Sequence, residues 1–239
     1  MAVQRPSPHN FLEMMPSEKI KIYIGKEDKL YLVPHALICY YSASLNTHFT
    51  KDVCIRKAST WHNAKWGKNN AKHLYDCQPE QFDMLLECMM QGSISKRGAN
   101  SREAIEKCMG LVDYSDKIDM GGLVCEVVIE PLRQEIKSPP LRPPAANFNV
   151  PRRDVYPRGF TVDDIKVVFK VTKPGNALRA LVAQDVLSRQ GSKGNVFEDA
   201  ENNVPGFAAE VLKQFRKSAS FWVWTDPING LQRIYDWYA

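Results

Sequence analysis

The amino-acid sequence predicts an α+β fold, and three observations carry that expectation. First, EKIKIYIG at 18–25 alternates. Ile20, Ile22 and Ile24 fall on one face and Lys19, Lys21 and Tyr23 on the other, the period of a half-buried strand. Second, from residue 79 onward apolar residues recur at i, i+3 and i+4, the period of amphipathic helices. Third, residues 138–159 hold six prolines in 22 residues. That composition makes a semi-rigid linker, not a core element. The expected organisation is a disordered leader at 1–16, a domain at 17–137 built as a small sheet with a cluster of helices, the proline-rich linker at 138–159, and a small, mainly helical region at 160–239.

Each element has its own local reason. KEDK turns the first strand into LYLV at 30–33, a second strand, which makes a hairpin. Pro34 ends it and suits a helix start, so His35 to Tyr41 reads as a short helix. Ser42 or Ser44 would cap another that ends near Phe49. Residues 51–72 lack a period and read as a basic loop or insertion. HLYDC at 73–77 reads as a short strand. Pro79 then stands at a first helical position, Phe82, Leu85, Leu86 and Met89 share one face, and Gly92 stops the helix. Ser101 is expected to cap a helix that buries Ile105, Cys108, Met109 and Val112. After Gly121 and Gly122 one further helix is expected from Leu123 to Ile136, kinked at Pro131. Beyond the linker, Thr161 and Asp164 fit a capping box. Helices at Ala177–Ser188 and Phe207–Lys217 follow, with a polar loop at 189–204 between them. Alternating aromatics at 221–224 suggest an extended segment.

The string KIKIYIGKEDKLYLVPHALICYYSASLNTHF resembles the opening of a BTB/POZ domain, in the variety abundant in fungi. The matching positions are Tyr31, Val33, His35, Leu37, Ile38, Ser42 and Phe49. The family's next pieces are matched by Asp76, Pro79, Phe82, Leu85 and Leu86, and then by Leu111, Asp113, Tyr114, Lys117, Met120 and Leu123. The resemblance covers 17–137. It departs at Lys19, where the family often has an acid, and in the length and basicity of 51–72. It implies a protein-interaction scaffold or adaptor, a homodimer or a pair with another protein, whose pairing surface uses the first strand and first helix. That surface would be Ile20, Ile22, Leu37, Ile38, Tyr40 and Tyr41. Aromatic and aliphatic side chains on both faces of 37–41 fit a partner surface. The same tyrosines could also cover the core of a monomer. Some members of the family are adaptors of cullin-type ubiquitin ligases, through a hydrophobic-x-Glu motif. Here Ser101 stands two residues before Glu103, so that motif is absent or altered.

Composition limits other functions. Hydrophobic residues make up 44% and charged residues 25%, enough for a packed core. No apolar run nears the roughly 18 residues that span a bilayer, and the N-terminal stretch lacks a signal-peptide core, so an intracellular protein of the cytoplasm or nucleus is expected. The net charge is +5, and residues 51–73 alone hold six cations against one acid. Lys57, Trp61, Lys65, Trp66 and Lys68 interleave charge with aromatics, as single-strand nucleic-acid sites do. A solvated loop is the preferred reading of such a run. Cys54, His62, His73 and Cys77 lack the paired spacing of structural zinc sites, and buried thiols explain the cysteines better. No G-x-S-x-G, P-loop, G-x-G-x-x-G or H-E-x-x-H is present. Adjacent Asp163 and Asp164 diverge on a helix, and His35 has no nucleophile nearby in sequence. No catalytic residue, cofactor or metal is expected.

Overall fold

A computed structural model describes residues 6–42, 44, 66–67, 71–95, 98–137, 159–189, 197–220, 223–225, 227–228 and 230–234. Over these the chain is mixed α+β. It divides into two units, Met1–Ser95 with Gly110–Val127, and Lys96–Met109 with Val128–Ala239.

In the first unit the stretch expected to be a disordered leader contains a helix, α1 (Pro8–Met14). Ser7 caps it by accepting from Asn10 N at 3.2 Å, and Pro8 opens it. β1 (Lys19–Ile24) and β2 (Lys29–Pro34) form the expected antiparallel hairpin, with Ile22 opposite Tyr31. The connection needs left-handed backbone at Gly25, φ 72°, and a Cβ there would meet Pro79 Cδ at 3.3 Å. α2 (His35–Tyr41) follows Pro34 directly.

β3 (Trp66–Gly67) and β4 (Ala71–Leu74) complete a sheet of order β2-β1-β4-β3, with β1 and β4 parallel. The strand expected at 73–77 thus lies two residues earlier. Its end is fixed because Leu74 O accepts from both Gly25 N and Cys77 N, which turns the chain at 75–77. α3 (Pro79–Gln91) starts at Pro79 and ends at left-handed Gly92, φ 64°.

β1 turns Ile20, Ile22 and Ile24 inward, where Val33, Leu37, Phe82 and Leu85 are also buried. Each such side chain contributes about 1.5–3 kcal/mol by leaving water. Polar ties fix the layers. Tyr31 Oη donates to Asp83 at 2.8 Å and Ser42 Oγ donates to Ile118 O at 2.7 Å.

α4 (Ser101–Lys117) is capped by Asn100, not by Ser101, because Asn100 Oδ1 accepts from Glu103 N at 2.9 Å. The single helix expected over 123–136 is two, α5 (Gly121–Val127) and α6 (Ile129–Lys137). Pro131 has no N–H for the Val127 carbonyl and crowds it, so the break falls one turn before the proline.

The second unit also contains α7 (Val162–Val171), α8 (Ala177–Arg189), α9 (Glu198–Asn203) and α10 (Phe207–Ser218). α7 carries the expected capping box, with Thr161 and Asp164 bonded reciprocally. α8 buries most of its surface, from Leu178 and Leu181 to Val186 and Leu187, and leaves the stripe of Ala180, Gln184 and Ser188 part-exposed. The loop expected at 189–204 instead contains α9, anchored by buried Phe197, Ala200 and Val204. β5 (Ala219–Ser220), β6 (Val223–Thr225) and β7 (Gln232–Ile234) form an antiparallel sheet; of the extended segment expected at 221–224, residues 223–224 lie in β6 and 221–222 lie outside the described residues.

Asp185 on α8 is only 1% exposed. It accepts from Phe160 N at 2.9 Å and pairs with Arg189. Burial pushes its carboxyl up from the ordinary 3.8 to about 6, while Arg189 and the Phe160 amide pull it down and nearby Asp164 pushes it up. A raised folded value favours the neutral acid on folding. The stabilisation is therefore full below the unfolded value and lost as pH rises through about 6. A shift of this size corresponds to about 3 kcal/mol. Asp185→Asn keeps an acceptor for Phe160 N and cannot ionise. Urea unfolding at pH 4 and pH 7 is expected to show the parent losing about 2 kcal/mol more than the variant over that interval, because the unfolded carboxyl is already partly ionised at pH 4. Equal pH slopes would make Asp185 an ordinary carboxyl.

Candidate functional site

The structure places five of the six expected interface residues inside the first unit. Ile20, Ile22, Leu37, Ile38 and Tyr41 are buried. The correction has a local cause. β1 alternates strictly, so Ile20 and Ile22 share the inner face with Ile24. α2 is short and turns Leu37, Ile38 and Tyr41 inward at helical spacing, and Tyr41 Oη donates to Met89 O at 2.9 Å. Tyr40 differs. It is 39% exposed and packs edge-to-face on Tyr41 at 5.2 Å.

Further exposed apolar side chains of this unit are Met90 of α3, 49% exposed, and three on α1 and β2. Leu12 of α1 is 69% exposed, and Leu30 and Leu32 of β2 are 47% and 56% exposed. Because side chains alternate along a strand, Leu30 and Leu32 share the outward face of the sheet. Leu30 stands opposite Tyr23 and Leu32 opposite Lys21. Tyr23 neighbours His73 on β4, and their rings stack at 4.5 Å. His73 also stacks on Tyr75 at 5.5 Å and pairs with Asp28 at 3.1 Å. Sequence reading missed Leu30 and Leu32. Their signal was LYLV itself, apolar in both phases of the strand period, which marks a strand with apolar side chains on two faces.

Other candidates resolve differently. Lys57, Trp61, Lys65 and Lys68 lie outside the described residues, as do Cys54 and His62. Trp66 enters β3, its backbone paired with Lys72. Cys77, Cys88, Cys108 and Cys125 are buried thiols. Burial pushes Cys77 and Cys108 up to about 12 and Cys125 up to about 11, so these thiols are poor nucleophiles. Among the described residues no cluster of His, Cys, Asp and Glu could hold a metal ion. No described helix is long and apolar enough to cross a membrane.

His35 opens α2, its N–H donating to Glu18 O at 2.8 Å. Asp163 points outward to Lys166, while Asp164 is buried and accepts from the backbone N of Thr161, the N-cap of α7. The Glu103 carboxylate accepts from Ala99 N at 2.8 Å and pairs with Lys107 at 2.9 Å. Its bond to Lys107 is the main cause holding it below the ordinary range.

No protein-family model matches the chain, and no curated protein matches it. What it can do is therefore read from its own surfaces.

Proposed function

We propose that the chain is a protein-interaction scaffold or adaptor that self-associates or pairs through a BTB/POZ-like first unit. The order of elements supports this: a hairpin, a helix started by proline, a strand parallel to the first, and helices that follow. The observation that carries the reading is the surface of α1 and α2. The two helices lie against each other, α1 fully buries none of its side chains, and Leu12 and Tyr40 remain exposed. An aliphatic and an aromatic side chain left open on adjoining helices are what a partner surface covers.

Light scattering on the full chain tests it. The expected mass is twice 27.2 kDa. Tyr40→Asp and Leu12→Asp are each expected to return single chains with unchanged far-UV circular dichroism. A single-chain mass for the parent at every concentration would overturn self-association.

A further inference from the structure

We infer that the outward face of β1 and β2 docks an acidic, amphipathic segment of a different protein. The inference rests on reading the first unit as an interaction module, and it names a surface apart from α1 and α2. On this face Leu30 and Leu32 form an exposed aliphatic row, and Lys19 and Lys21 form a basic row on the neighbouring strand. The rows are about 4.8 Å apart, the spacing of adjacent strands. One segment with an aliphatic stripe beside an acidic stripe covers both.

Charge identifies the occupant. Neither Lys19 nor Lys21 has an ion-pair partner among the described residues. Asp28, in the hairpin turn, is taken by His73, and Lys29 pairs with Asp83 at 3.3 Å. A second copy of this chain would bring the same lysines against themselves, on a protein already at +5. Nucleic acid fits less well. The rings of Tyr23, His73 and Tyr75 stack on one another, so the faces between them are closed to a base, and Leu30 and Leu32 offer bases no polar partner.

Fluorescence anisotropy with the full chain tests the inference. The probe is a fluorescein-labelled peptide of leucine, glutamate and alanine, with leucines at i, i+3 and i+4 and glutamates beside them. It is expected to bind, and added salt is expected to weaken it. Lys21→Glu, Lys19→Glu and Leu32→Ser are each expected to weaken it at least about tenfold, the loss typical of an important interface contact. All three positions are exposed, so unchanged circular dichroism is expected.

No binding overturns the inference. So does equal binding of a peptide with lysine in place of glutamate, or equal binding by the three variants. A labelled oligo-dT that displaces the peptide also overturns it, in favour of nucleic acid. A dimer mass with no peptide binding sinks this inference alone. A single-chain mass with peptide bound sinks self-association alone.

Discussion

Asp164→Ala is expected to lower the unfolding free energy by about 3 kcal/mol, the low end of what breaking a buried ion pair costs. The carboxylate is buried and accepts from four donors. Thr161 N lies at 2.7 Å and Thr161 Oγ1 at 2.8 Å, and the Arg102 guanidinium gives two bonds at 2.7 and 3.2 Å. Removing it takes away the half of the capping box that holds Thr161 N and leaves Arg102, itself 13% exposed, with Glu106 and Gly159 O as acceptors. Those two keep the loss at the low end. Asp163→Ala is the control. Asp163 is one residue away, 91% exposed, and only loosely paired with Lys166. It is expected to change stability by no more than about 0.5 kcal/mol. Urea unfolding followed by circular dichroism compares the two. Equal midpoints would mean that the Arg102 pair contributes no more than a surface contact.

These cases show what was legible in the sequence. Signals confined to a few neighbouring residues were readable. The alternation of Ile20, Ile22 and Ile24, the proline start at Pro79, the left-handed stop at Gly92 and the Thr161–Asp164 box each depend on local backbone geometry. Signals that depend on what packs above were not. Tyr40 and Tyr41 are the same residue type at consecutive positions, and which one is buried follows from the face that α2 turns to the core, where Tyr41 Oη meets Met89 O. Leu30 and Leu32 alternate as cleanly as Tyr31 and Val33, so the period alone cannot say which pair faces water. EDAENN has one apolar residue, and α9 exists because the flanking Phe197 and Val204 are buried. The candidate surface was misread for this reason: the sequence marks apolar side chains, and packing decides which of them the core takes.

Gly159→Ala is expected to be as damaging as the loss of Asp164, and its cause can be isolated. Gly159 has φ 79°, a conformation that costs a residue with a Cβ about 1–2 kcal/mol. A Cβ there would also overlap Asp185 Oδ2 and stand 2.5 Å from Oδ1. An exposed carboxylate would swing aside. Asp185 is held by Phe160 N and Arg189 inside the unit, so relief requires breaking one of those ties. The expected total loss is about 3 kcal/mol or more, from strain and a lost buried hydrogen bond together. A double-mutant cycle separates the two parts. In an Asp185→Ala background the clash is gone, and Gly159→Ala is expected to cost only the backbone part, about 1–2 kcal/mol. Strict additivity would show that the carboxylate yields freely and that backbone conformation alone requires glycine at this position.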